Sequence, residues 1–234
     1  VAPSPFHGQR GMESSLSETS LSRRFVPAAS DMGNWLQIEP LFVELEQRPL
    51  DSVEQLEAWL LDTSELSACI SEESTRRHVA MTCATDDPEK EAAFLFFVEE
   101  ITPRCKPRWH RLRERYVASP ARARLPRPHY TVFDRSTFAA VEIFREENVP
   151  LQVEEDKLDQ QYQKLCGAMT VEFDGREQTL QQMARYLREP DRPLRQQAWE
   201  RIFERRPPDR DAIEAILDQL IELRGRIARN AGFD

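Results

Sequence analysis

Glycine is scarce in this sequence, and proline is common. The 234 residues include 7 glycines and 16 prolines. A β-rich protein needs many tight turns, and glycine most readily adopts the backbone angles of such turns. Proline fits the first turn of a helix but interrupts a helix interior. The sequence therefore predicts a mainly α protein, a multi-helix bundle whose helices are separated by prolines.

Two short patterns indicate helix starts. Ser52 is followed three residues later by Gln55, and Thr179 by Gln182. Each pair can form a capping box, in which both residues bind backbone N–H groups of the first helical turn. The final helix has the clearest apolar period, with steps of three and four at Ile213, Ile216, Leu220, Leu223 and Ile227. Gly232 is the expected C-terminal cap of that helix.

A third start signal is Asp87-Pro88, an N-cap residue followed by proline at the first helical position. The helix that begins there carries the apolar run from Phe94 to Val98. It is expected to end near Thr102-Pro103, because a residue before proline disfavours helical angles. An Arg-rich helix is then predicted up to about Ala118.

Only one segment reads convincingly as a strand. It is Met169–Phe173, and Asp174-Gly175 follows it. Asp-Gly is a preferred two-residue hairpin turn. The return arm, Arg176–Gln178, is short and polar, so the sequence predicts at most one small β-hairpin, near 169–178.

The chain is expected to fall into three parts. Residues 1–31 are rich in Ser, Pro and Gly and show no apolar period, so they are predicted to be a disordered or non-native leader. The protein start is expected at Val1 or Met32. Residues 32–120 form an N-terminal helical subdomain, and residues 121–234 form a further helical segment.

Basic residues are concentrated in one segment of an acidic chain. The net charge is -9, yet nine Arg and Lys residues and a single Glu lie between Ile101 and Tyr130. Such a segment is compatible with a nucleic-acid surface or with a helix face that pairs with acidic neighbours. Trp109 lies within it, where stacking on nucleic acid, a cation–π contact and helix packing all remain open.

No motif for catalysis or metal binding is found. The histidines are His7, His78, His110 and His129, and none begins the H-E-x-x-H pattern of zinc peptidases. The one His/Cys pair considered for a spatial metal site is His78 with Cys83. No catalytic residue, metal ligand or substrate-binding residue is therefore assigned.

The four cysteines form no C-x-x-C pair, and the chain has no secretion-type apolar start and no apolar run long enough for a membrane span. Reduced, mostly buried thiols in a cytoplasmic protein are expected.

Several separated segments resemble the oligoendopeptidase F family of thimet-oligopeptidase-like zinc metallopeptidases. The resemblance covers roughly Arg23 to Asp234. The segments are Arg24–Pro27 with Trp35, Glu39–Phe42, Phe144–Pro150, Tyr162–Gly175, Thr179–Ala184, Pro190–Trp199 and the ending Leu223–Asp234, which closes on Ala-Arg-Asn-Ala-Gly-Phe.

This resemblance implies the N-terminal portion of a clam-like helical metallopeptidase that hydrolyses short peptides. The family zinc is held by the two His of H-E-x-x-H and a later Glu, beyond the Gly-Phe-Asp element, and this chain ends at that element. We therefore expect no zinc in this chain, no activity from it alone, and a missing C-terminal catalytic domain as its partner. Whether the chain counts as an enzyme is left open. The alternative is a non-catalytic binding module that uses the basic segment 101–130 to bind nucleic acid or an acidic partner. The acidic remainder of the chain disfavours nucleic acid.

Overall fold

The computed structural model describes residues 23–233, which form a helical protein with one small sheet. The helices are α1 (Trp35–Gln47), α2 (Val53–Thr82), α3 (Pro88–Phe96), α4 (Thr102–Ala118), α5 (Arg127–Ile143), α6 (Asn148–Gly167), α7 (Leu180–Met183), α8 (Arg192–Arg205) and α9 (Arg210–Asn230). The strands are β1 (Thr170–Phe173) and β2 (Arg176–Thr179). The predicted mainly α class is confirmed. Among the described residues, no helix has both the length and the apolar character to cross a membrane.

The main core lies between α1, α2 and α4. Apolar side chains from each helix meet there because each helix has one apolar face. The indole Nε1 of Trp59 is satisfied by the carbonyl oxygen of Leu45 at 2.9 Å. The fully buried members are Ile38, Phe42, Leu45, Leu56, Leu66, Leu112 and Tyr116. Two smaller apolar clusters lie farther along the chain, one at the α3–α6 contact and one between the hairpin, α7 and α8.

Residues 1–22 of the predicted leader lie outside the described residues, whereas residues 23–31 pack against α2. The carboxylate of Glu65 accepts hydrogen bonds from the backbone N–H groups of Arg24, Phe25 and Val26, at 2.8 to 3.0 Å. Val26 is only 2% exposed. A single acidic side chain of α2 thus fixes the course of the chain before α1.

The predicted helix starts are confirmed. Ser52 with Gln55 and Thr179 with Gln182 both form complete capping boxes. Asp87 caps α3 by accepting from the N–H groups of the two residues after Pro88. These interactions join residues at most four positions apart, and for that reason the sequence alone predicts them.

A helix boundary does lie near the predicted Thr102-Pro103, since α4 begins at Thr102 and ends at the predicted Ala118, but the chain stays helical across this boundary. A π-helical turn, Phe97–Ile101, joins α3 to α4 without a break in helical direction. Pro103 falls in the first turn of α4, where its missing N–H is tolerated, and the wider π turn leaves space for its ring. Phe97 and Ile101 are buried, so core packing favours this continuation.

The predicted hairpin is confirmed. β1 and β2 are antiparallel, with Phe173 opposite Arg176 and Thr170 opposite Thr179. Asp174 and Gly175 have positive φ angles of 54° and 71°. Positive φ angles at both central residues are typical of a type I′ turn, which favours glycine at its second central position.

The final helix α9 packs along α6 and ends as predicted. Gly232 has a φ of 91°, and its N–H donates to the carbonyl of Arg229 at 3.0 Å. The N–H of Phe233 donates to the carbonyl of Ala228 at 3.0 Å. These two bonds form a Schellman motif, which satisfies carbonyls at the helix end.

Candidate functional site

A concave face between α2, α4, α5 and the end of α9 contains two adjoining pockets. The first, of about 650 Å³, lies between α2, α4 and α5. The second, of about 530 Å³, extends from α4 to the ends of α5 and α9. Trp109 and Arg113 line both pockets, so the two spaces meet at the middle of α4.

Trp109 is held in place by the main core. Its ring makes an edge-to-face contact with the buried Phe42, with 4.6 Å between centroids. Such aromatic pairs fix ring orientation as well as burying area. Of the alternatives left open by the sequence, the structure shows the helix-packing role, while the rest of the side chain faces the two pockets.

The wall formed by α5 is anchored by an acidic residue. Asp134 accepts a hydrogen bond from the hydroxyl of Tyr116 at 3.1 Å and from Arg122 at 2.9 Å. Burial alone would raise the pKa of Asp134, but hydrogen bonds from Arg122 and Tyr116 lower it below its usual range. Burial and the nearby Asp134 raise the pKa of Tyr116 to about 12, so its hydroxyl remains a donor.

The first pocket is mostly apolar, with a few polar atoms. Phe133 of α5 and Leu61 of α2 are partly exposed along it. The hydroxyl oxygen of Thr63 is buried in its wall and has no hydrogen-bond partner within residues 23–233. An apolar groove with a few polar groups suits a ligand that has both characters.

The second pocket is cationic. Its lining contains four basic residues and one acidic residue. The basic residues are Lys106, Arg113, Arg145 and Arg224, and the acidic residue is Glu155. Arg224 pairs with Glu155 at 2.6 Å. Arg145 donates to backbone carbonyls, including that of Phe144 at 2.7 Å.

The basic segment 101–130 is largely paired within the fold. Arg108 binds Glu39 and Glu46 at 2.6 and 2.8 Å, and Arg104 binds Glu100 at 2.9 Å. Other members bind Asp134 or backbone carbonyls of the residues before α2. Of the two uses of the basic segment that the sequence left open, these contacts match the pairing with acidic neighbours.

The residues considered for a metal site are not brought together. The Nε2 atom of His78 lies 2.9 Å from Oε1 of Gln163, and Cys83 is exposed. His110 stacks on Phe144 at 4.0 Å, and His7 lies outside the described residues. In residues 23–233 no group of three His, Cys, Asp or Glu side chains could hold a metal ion, so this part of the chain does not fit a zinc centre.

The sequence points to Trp109 and the basic segment but not to the individual cations beside Trp109. Lys106, Trp109 and Arg113 follow positions i, i+3 and i+7, which share one helix face. That spacing was the available signal. The spacing identifies a site only when this face of α4 is known to line a pocket. The packing of α5 and α9 around α4 determines that, and the sequence does not show it.

Comparisons with known proteins agree with the fold. Residues 31–144 match the Peptidase M3 N-terminal domain. No curated protein matches the chain.

Three solved structures resemble the chain. A structure of PZ peptidase A with an inhibitor is 24% identical, has a TM-score of 0.77, and is matched over 90% of this chain and 38% of that one. A protein assigned as oligoendopeptidase F is 24% identical with a TM-score of 0.78, over 91% and 38% of the two chains. Another, from Bacillus anthracis str. Ames, is 20% identical with a TM-score of 0.77, over 91% and 39%.

This chain thus spans about two fifths of the length of the structures that it matches, and at these identities the likeness establishes the fold. Residues 31–144 are thus similar to the N-terminal domain of M3 peptidases, and the helical fold around them is that of the oligoendopeptidase F structures.

Proposed function

We propose that this chain is the non-catalytic helical part of a zinc metallopeptidase that hydrolyses short peptides, and that its concave face forms part of the substrate-channel wall. The observation that carries the proposal is the pair of adjoining pockets that meet at Trp109 and Arg113. Apolar side chains there can bind peptide side chains, while Thr63 and the cations can bind backbone or terminal groups.

Hydrolysis in this family requires a zinc ion, which lowers the pKa of a bound water and polarises the peptide carbonyl. The 234 residues contain no H-E-x-x-H motif, and the described residues have no metal-binding cluster. We therefore assign no catalytic step to them. The metal centre of the proposed peptidase is supplied by a region outside these residues, and this chain alone is expected to be inactive.

The helices α8 and α9 offer a contact surface for that catalytic region. Trp199 and Phe203 stack at 5.3 Å on the outer face of α8 and are 56% and 61% exposed. Leu217 and Ile221 are exposed on α9. An apolar surface of this kind commonly marks an interface.

A cytoplasmic location is part of the proposal. All four cysteines are free, and Cys69 and Cys105 are buried. Burial raises the pKa of Cys105 to about 12, so this thiol stays protonated and unreactive. Free thiols are expected in a reducing compartment.

Two measurements test the proposed function. The first determines the zinc content of this chain alone and its cleavage of a quenched fluorescent peptide. We expect neither bound zinc nor cleavage. Stoichiometric zinc with EDTA-sensitive cleavage would overturn the assignment of a non-catalytic part.

The second measurement tests the channel wall. A short peptide with a photoreactive benzophenone group is crosslinked to the chain, and the sites are mapped by mass spectrometry. Crosslinks are expected on α2, α4 and α5 beside Trp109, and excess unlabelled peptide should remove them. Crosslinks confined to other surfaces would contradict the proposal.

The alternative of a nucleic-acid-binding module receives less support from the structure. The pairs made by Arg104, Arg108 and Arg122 with carboxylates reduce the charge available to phosphates. Salt-dependent binding of DNA or RNA would favour that alternative.

A further inference from the structure

Lys106, Trp109 and Arg113 line one side of the second pocket from a single helix face. Arg113 lies seven positions after Lys106, which corresponds to about two helical turns, or about 10.5 Å along the axis. All three side chains line the pocket, and Trp109 lies between the two cations. A small anion placed over Trp109 is therefore within reach of both long side chains.

Neither of these two cations has a carboxylate partner among the described residues. Within residues 23–233, no Asp or Glu oxygen lies within 4.0 Å of Lys106 or Arg113. Asp156 and Glu155 act on Lys106 only from a greater distance, and Glu155 is already bound to Arg224.

The surroundings of both cations are partly desolvated. Burial lowers the pKa of Lys106 below its usual range, although Asp156 and Glu155 offset part of this effect. Arg113 is exposed by surface area, although the atoms packed around its guanidinium lower its pKa. Both groups remain charged near neutral pH, so an incoming anion would regain part of the lost interaction.

Apolar side chains also line this pocket. They include Ile143 and Phe144 at the end of α5 and Ala228 and Phe233 at the end of α9. Ile143 and Phe233 are substantially exposed. The pocket therefore combines cationic and apolar groups.

We propose that Arg113, supported by Lys106, binds the C-terminal carboxylate of a short peptide whose last side chain packs between Ile143 and Phe233. The inference rests on the proposed function, because it specifies which end of the peptide the channel wall holds. A guanidinium can bind both carboxylate oxygens at once, which fixes direction as well as position. Recognition of the terminus accepts many sequences, since every unmodified peptide has one.

The test measures binding of three probes by calorimetry at low ionic strength. They are N-acetyl-Leu-Leu-Phe with a free carboxylate, the same peptide as its C-terminal amide, and N-acetyl-Glu-Leu-Phe amide. The free acid is expected to bind at least about tenfold more tightly than either amide, the usual effect of a charge-assisted hydrogen bond. Arg113→Gln should remove this preference, and Lys106→Gln should reduce it.

Arg111→Gln is the matched control. Arg111 lies on the same helix, is exposed and lines neither pocket, so its replacement should leave the preference unchanged. Circular dichroism of each variant confirms that the fold is intact.

The outcomes separate the two proposals. If the acid and the amide bind equally, the channel-wall function stands and the carboxylate site is wrong. If the Glu-containing amide binds as tightly as the acid, the pocket recognises carboxylates in general and the terminal assignment is overturned. If none of the three probes binds, both the site and the proposed channel wall are contradicted.

Discussion

The side chain of Asn148 at the start of α6 binds that of Asn230 at the end of α9. The Nδ2 of Asn230 donates to the Oδ1 of Asn148 at 2.7 Å, and the Nδ2 of Asn148 donates to the carbonyl of Ile227 at 3.0 Å. Asn148 is only 4% exposed. This contact joins the two segments Phe144–Pro150 and Leu223–Asp234, which were separately noticed in the sequence.

Replacement of Asn148 by Ala should therefore destabilise the α6–α9 pair. The change removes a donor and an acceptor, so the Nδ2 of Asn230 loses its partner and the carbonyl of Ile227 keeps only the N–H of Ala231. We expect a loss of about 1–3 kcal/mol in the free energy of unfolding. Urea denaturation measures the change, and the exposed Gln181→Ala is the control. Equal stability of Asn148→Ala and the wild type would show that this contact does not stabilise the fold.

Glu65 should make stability depend on pH. Burial by itself raises the pKa of Glu65, but the N–H groups of Arg24, Val26 and Phe25 lower it below its usual range. A depressed folded-state pKa means that the stabilisation is present above the unfolded value of about 4.3 and is lost as the pH falls through the folded value.

Glu65→Gln is thus expected to cost about 1–2 kcal/mol near neutral pH, with the difference from the wild type shrinking below about pH 4.3. Denaturation across this pH range measures it. Glu72→Gln is the control, because Glu72 is largely exposed in a 3.7 Å pair with Arg23. A Glu65→Gln penalty that does not change with pH would contradict the explanation.

Gly33 leaves space for the guanidinium of Arg77. A Cβ atom at position 33 would lie 2.1 Å from Nη2 of Arg77. Arg77 cannot easily move, because Nε binds Glu73 at 2.7 Å and Nη1 binds the carbonyl of Ala93 at 2.9 Å. Gly33→Ala is expected to destabilise the protein by about 1–3 kcal/mol, as added core atoms commonly do.

A double-mutant cycle identifies the cause of that effect. In an Arg77→Ala background, Gly33→Ala should have almost no cost, because the atom it meets is gone. Chemical denaturation of the four proteins gives the coupling free energy. If Gly33→Ala lowered the free energy of unfolding equally with and without the Arg77 side chain, a clash with Arg77 would not be the cause.

Asp134 should stabilise the position of α5 at the edge of the first pocket. Asp134→Asn weakens the bonds from Arg122 and Tyr116, and we expect a loss of about 1–3 kcal/mol near neutral pH. Since the folded-state pKa of Asp134 is lowered, its contribution should be lost as the pH falls below the unfolded value of about 3.9. Hydrogen exchange of α5 amides should increase in the variant, whereas α9 should be unaffected. Uniform exchange rates between variant and wild type would contradict this role.

Local chemistry in the sequence determined the class and several boundaries. The capping boxes at Ser52 and Thr179, the Asp87 cap and the Asp174-Gly175 turn depend on atoms within a few residues, so composition and order suffice to predict them. The scarcity of glycine similarly predicted helices. The continuation through Pro103 was missed, because burial of Phe97 and Ile101 outweighs the local preference of proline to end a helix.

Tertiary structure decided the candidate site. Trp109 was noticed in the sequence, but its contact with Phe42, 67 positions away, and its exposure to two pockets depend on residues that only the fold brings together. The same packing neutralises Arg108 through Glu39 and leaves Arg113 without a carboxylate among the described residues. Charge is a property of the sequence, whereas the availability of a charge depends on which groups the fold brings within hydrogen-bonding distance.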